Sequence, residues 1–164
     1  MPELCEKLAE RLREDGRRTL EFLQNIPPES WNVTIYTEGN SWTLHQIIAH
    51  FVSAELGNSR LVKSIVRGGP GSPIDFNIDS FNQKEVELLE SEPDQFLLDL
   101  FSASREKTVD MVRAFTASDL AKNGRHPFLG EAAVEDIIKL IYRHNQIHIR
   151  DIKRVLGSTA DQPM

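Results

Sequence analysis

A chain of 164 residues, 40% hydrophobic and 27% charged, has the size and make-up of one ordinary globular domain and can bury a core without covalent staples. No run approaches the roughly 18–20 apolar residues of a membrane span, and a single cysteine excludes an intrachain disulfide or a multi-cysteine zinc site. A net charge of −6 argues against nucleic acid as a partner, and the charged opening MPELCEKLAERLRED, without an apolar core, argues against a secretory signal; a cytoplasmic protein is expected.

The first helical period runs from about Leu4 to Ile26, with Leu4, Leu8, Leu12, Thr19, Phe22, Leu23 and Ile26 on one side. Its Lys and Arg residues (Lys7, Arg11, Arg13, Arg17, Arg18) alternate with Glu6, Glu10, Glu14, Asp15 and Glu21, the pattern of a solvated face with i,i+4 pairs. Pro27-Pro28 stops it, because proline lacks the amide and clashes with the preceding turn. A second helix is predicted to start near Thr43, with Thr43 and Gln46 as a capping box and Trp42 with Ile47 as its hydrophobic staple. Its stripe is Leu44, Ile47, Ile48, Phe51, Ala54, Leu61, Val62 and Ile65, ended by Gly68-Gly69-Pro70. The glycines there are not followed by Gly-Lys-Ser/Thr, so they read as a connector rather than a phosphate loop.

A shorter helix is predicted around residues 80–90. A third long one is predicted from Pro93, at its first position, to about Phe115, with Leu97, Leu100, Phe101, Ser104, Thr108, Met111, Val112 and Phe115 as its seam. The fourth is predicted from about Ala132 to Leu156, with Gly157 as its stop. Four long amphipathic helices and no convincing strand alternation imply an all-α four-helix bundle. Residues 1–157 form its single domain, and residues 158–164 a polar, frayed tail. The connections 27–42 and 68–79 are long enough for at least one to cross over the bundle.

The chemistry lies inside the fourth stripe. Continuing Val134, Ile137 and Ile141 by helical steps leads to His144 and His148 before Ile152 and Val155 resume. Imidazoles four apart stand one above the other on a helix, so both nitrogens can reach one ion at about 2.0–2.1 Å. Two imidazoles among isoleucines cost desolvation unless hydrogen-bonded or coordinated. His50 sits at the edge of the second helix's inward stripe, where either a core histidine or a third ligand is consistent with its position. His45, about 140° round the helix from His50, faces elsewhere.

The segments SWTLHQIIAH and RHPFLGEAAVEDIIKLIYRHNQIHIRDI resemble the DinB/YfiT-like superfamily of metalloenzymes. The first carries a Trp, a capped helix start and His50. The second carries a His-Pro-x-x-Gly turn (His126, Pro127, Gly130) leading into the helix of His144 and His148. The resemblance extends in helix order over nearly the whole chain, although only these two segments are specific. It implies that His50, His144 and His148 hold one divalent ion, nickel or zinc, with water completing the shell. It also implies a left-handed up-down-down-up bundle and a homodimer.

The chain departs from that pattern at Ala133, where relatives carry Thr or Ser, and at Asp151, where they often carry Gln. Asp151 shares the face of His144 and His148; it orients a ligand, adds a carboxylate, or pairs with Arg150 or Lys153. Glu55 reads as an acceptor or base beside the site or as a solvated helical glutamate, and His126 as a residue of the site mouth or of the turn alone. The expected function is that of a metal-dependent hydrolase or a transferase of low-molecular-weight thiols such as bacillithiol or mycothiol, acting on a small-molecule substrate. A non-catalytic, metal-stabilised stress-response or binding module is the alternative.

Overall fold

The computed structural model describes residues 2–160. Four long helices make the bundle: α1 (Pro2–Gln24), α2 (Leu44–Val66), α4 (Asp94–Arg113) and α6 (Val134–Ala160). Between them lie a five-residue 3₁₀ turn (Pro28–Asn32), α3 (Ile78–Leu89), the one-turn α5 (Ala117–Leu120), and strands β1 (Asn123–His126) and β2 (Gly130–Ala133). No helix among the described residues is long and apolar enough to cross a membrane.

α1 and α2 each pack on both α4 and α6, so α1 stands diagonally from α2. Side-chain pairs give the directions. Arg113 meets Glu6 while Arg105 meets Leu12 and Asp15, so α4 runs against α1. His45 meets Asp94 and Glu55 meets Arg105, so α2 runs with α4. Arg11 covers Tyr142, Asp15 receives Gln146, and Lys153 covers Phe22, so α6 runs with α1. In chain order the bundle goes up, down, down, up.

Two apolar clusters fill it. One gathers Leu23, Phe51, Phe101 and Ile152 with Trp31, Ile35 and Trp42 of the segment before α2. The other gathers Leu12, Val62, Val109 and Ile141 with Val134 and Tyr142. Between them each helix contributes buried polar groups: Asp15, Glu55, Ser104, Arg105, Thr108 and Asn145. Arg105 occupies the middle of this layer. Its guanidinium donates to both carboxylate oxygens of Glu55 at 2.8–3.0 Å, to Asp15 Oδ2 at 3.1 Å and to the Leu12 carbonyl at 2.9 Å. The solvated reading of Asp15 and Glu55 is therefore corrected, since both are buried and paired.

The Thr43–Gln46 capping box forms as expected and fixes the start of α2. Three boundaries differ from expectation. Pro93 is the N-cap of α4 rather than its first residue, because its ψ of 151° is extended. α6 begins at Val134, two residues late, because residues 130–133 are taken by β2 in an antiparallel pair with β1. Gly157 does not stop α6, which continues to Ala160; residues 161–164 of the expected tail lie outside the described residues.

Candidate metal centre

His50 is placed by α2 two turns past its capped start, and His144 and His148 by α6, which runs antiparallel beside it. The i,i+4 spacing stacks the two α6 imidazoles, with ring centroids 4.5 Å apart. His144 Nε2 lies 3.0 Å from His50 Nε2 and 3.0 Å from His148 Nε2. All three rings offer a nitrogen within 4.8 Å of the others, with His50 buried and the other two half-buried. The site is thus closed on the α2 side and reachable from the α6 side.

Its electrostatics follow from burial without a carboxylate among the three rings. Desolvation pushes His144 down to about 3 and His148 down to about 4, and neighbouring His148 lowers His144 further. Desolvation, then the charges His144 and His148 would carry, hold His50 well below the ordinary imidazole range. The rings are therefore neutral at pH 7, the form that binds metals. Imidazole nitrogens bound to one ion at about 2.0–2.1 Å stand about 3.0–3.4 Å apart, and the two spacings through His144 meet that requirement. Among the described residues, His50 Nδ1 is buried without a hydrogen-bond partner. The donor set fits a divalent ion of the zinc or nickel type.

The structure sorts the other sequence candidates. Asp151 does not enter the cluster; its Oδ2 accepts the Tyr36 hydroxyl at 2.6 Å, and the same hydroxyl lies 2.7 Å from His148 Nδ1. Both Glu55 oxygens belong to Arg105, which makes Glu55 part of the bundle's interior scaffold. His126 is occupied at both nitrogens: Nε2 faces Asn58 Oδ1 at 2.9 Å, and Nδ1 accepts the Phe128 and Leu129 amides. His45 bonds Asp94 and the Glu90 carbonyl, away from the site as expected.

Tyr36 is the residue that sequence reasoning missed. It lies in the irregular segment before α2, where no period marks a face. Tyr36 and Trp42 exchange backbone hydrogen bonds of 3.2 Å, which fold the segment back over α6. The Trp42 ring then lies on His50 with centroids 4.9 Å apart. Phe51 closes the apolar side, 5.7 Å from His148 and 6.3 Å from His144. The only available signal was composition: one of two tyrosines in the chain, in a loop that also carries Trp31, Val33, Ile35 and Trp42.

Comparison with known proteins bears on the family and the fold. The sequence profile of the DinB superfamily matches residues 11–152. In fold, the chain is similar to YfiT from Bacillus subtilis, described as a probable metal-dependent hydrolase with an unusual four-helix bundle topology. The TM-score is 0.74 at 16% identity, over 94% of this chain and 89% of that one. It is also similar to the mycothiol-dependent maleylpyruvate isomerase, with a TM-score of 0.70 at 15% identity, over 93% of this chain and 60% of the isomerase. A point mutant of that isomerase gives a TM-score of 0.69 at 14% identity, over the same shares of the two chains. No curated protein matches the chain in sequence.

Proposed function

We propose that this chain, which belongs to the DinB superfamily, is a metal-dependent enzyme whose ion, nickel or zinc, is held by His50, His144 and His148. The observation that carries this reading is the convergence of three neutral, buried or half-buried imidazoles on one point, with 3.0 Å between His144 Nε2 and each partner. Three imidazoles and no thiolate are the donor set of open sites, which leave room for a water or substrate. A divalent ion there supplies Lewis acidity and makes a water or thiol nucleophilic at neutral pH.

The protein's own groups do the rest. Phe51 and Trp42 keep water from the α2 side of the rings, which strengthens polar interactions at the site. The half-buried edges of His144 and His148 leave the α6 side as the approach for substrate. Hydrolysis or transfer of a low-molecular-weight thiol are the reactions proposed, supported by the descriptions of the two similar structures.

The test begins with elemental analysis of purified protein and of protein reloaded with zinc or nickel. Near-stoichiometric metal is expected, and its absence from both preparations would sink the reading. Cobalt-substituted protein should show an exchangeable position by its visible spectrum on adding azide or a thiol. A panel of hydrolase and thiol-transferase assays on the zinc and nickel forms then separates the two reactions.

A further inference from the structure

The Tyr36 hydroxyl has one proton and two neighbours that want it placed differently. Asp151 Oδ2 is 2.6 Å away and His148 Nδ1 is 2.7 Å away. An ionised carboxylate can only accept. Asp151 is held in that form: the hydrogen bond from Tyr36, then the charges of Arg150 and Arg154, keep its carboxyl below the usual range. Arg154 Nη2 lies 3.3 Å and Arg150 Nη2 3.6 Å from its other oxygen. The tyrosine proton therefore goes to Asp151 Oδ2.

The lone pair left on the hydroxyl oxygen faces His148 Nδ1. At 2.7 Å two bare lone pairs would repel, so Nδ1 must carry the imidazole proton and donate it to the hydroxyl. A neutral imidazole has only one N–H, so Nε2 is left with its lone pair exposed. That is the atom 3.0 Å from His144 Nε2.

We propose that Tyr36 and Asp151 are positioning residues, a relay that locks His148 in the tautomer and ring orientation presenting Nε2 to the cluster. The relay spans two parts of the fold. Asp151 is one turn beyond His148 on α6, and Tyr36 is pinned above both by its backbone exchange with Trp42. The segment before α2 thereby acts on the site without supplying a ligand, which is how ligating histidines are commonly oriented and made more basic.

The relay's effect on metal affinity rests on the proposed metal reading, but the tautomer does not, and the two can be read apart. In metal-free protein with 15N-labelled histidine, long-range 1H–15N correlation is expected to show a protonated Nδ1 and a bare Nε2 at His148. Tyr36→Phe, which removes only the hydroxyl, should abolish that bias. Asp151→Asn, which frees the hydroxyl proton to turn toward Nδ1, should weaken it. Competition with a chromophoric chelator should show zinc affinity lower by about 10–100-fold in Tyr36→Phe. A bare Nδ1 at His148 in the wild type overturns the proposal, as do unchanged tautomers in both variants. Zinc failing to bind the wild type, with the tautomer pattern as expected, overturns the metal reading and leaves the relay standing.

Discussion

Arg105 carries more of the fold than its position on an exterior-looking stretch of α4 sequence suggests. It is 3% exposed, lies over the Phe101 ring, and satisfies two buried carboxylates and a helix carbonyl. Gly16 makes room for it: a Cβ there would meet Arg105 Cγ at 2.8 Å. Breaking a buried ion pair by removing one partner leaves uncompensated charge and costs about 3–5 kcal/mol. Arg105→Leu should therefore lower the unfolding free energy by about that amount, read from the midpoint of chemical denaturation. A loss below about 1 kcal/mol, the value of an exposed pair, would contradict the buried network. Gly71 makes a second test at this scale. Its φ is +96°, and an added Cβ would sit 2.2 Å from the Arg125 backbone nitrogen. Gly71→Ala should cost about 1–3 kcal/mol from the left-handed backbone alone, and more from a contact with backbone that cannot swing aside. The glycines after α2 are thus not a loose connector, since Gly71 pairs directly with Arg125 of β1.

The β1–β2 hairpin shows why some elements were legible and others not. Long helices announced themselves through a repeated apolar period and through Thr43 and Gln46, Pro27-Pro28 and Gly68, each with a mechanism visible in one sequence. Strands of four residues reading NGRH and GEAA have no room for alternation, and their pairing depends on tertiary context. β2 displaced the expected start of α6, and the short α5 went unread although Thr116 and Asp119 form its capping box. At the candidate site, the stripe of α6 pointed to His144 and His148, whereas His50 needed the family resemblance and Tyr36 was invisible, because contacts across 112 and 115 residues leave no local trace. The hairpin's turn gives a prediction of its own. His126 Nδ1 accepts the Phe128 and Leu129 amides at 3.0 and 3.2 Å, which requires that nitrogen to be bare. Burial lowers the His126 pKa in the closed turn, so an open turn binds the proton better. The closed turn is accordingly favoured above the ordinary imidazole value of about 6.5 and weakens as pH falls below it. The protection of the Phe128 and Leu129 amides, taken relative to their intrinsic exchange rate at each pH, should fall as pH drops from about 7.5 to about 5.5; protection that rises instead would show that the amides have another acceptor.

At the scale of the whole molecule, the bundle places the three imidazoles where α2 and α6 run antiparallel, beside the buried polar layer that separates its two apolar clusters. A polar layer stabilises less than apolar packing of the same volume, because each charge has been taken from water and must be matched. An ion shared by α2 and α6 would tie these helices together at this level. Because unfolding separates His50 from His144 and His148 by about ninety residues of chain, metal affinity for the folded state far exceeds that for the unfolded one. Binding then stabilises by mass action, by about 2.7 kcal/mol when free metal is 100 times its Kd. For a chain of this length, where 1 kcal/mol moves Tm by about 2–4 °C, the shift should be about 5–11 °C. The pH dependence has a defined sign. His144 and His148 fall to about 3 and about 4 in the folded metal-free protein, against about 6.5 unfolded, so the unfolded chain takes up protons first. Stability from these groups is complete above about 6.5 and is lost as pH falls toward 4. Differential scanning calorimetry with and without zinc at pH 7.5 and pH 5.5 should therefore show a large metal-dependent rise in Tm at both, because the folded rings stay neutral until pH approaches about 4, where protons begin to compete for the same nitrogens. His144→Ala with His148→Ala should abolish the rise at both. If the double variant keeps the wild-type shift, the metal is bound elsewhere on the chain and the three histidines are a buried polar cluster of the bundle alone.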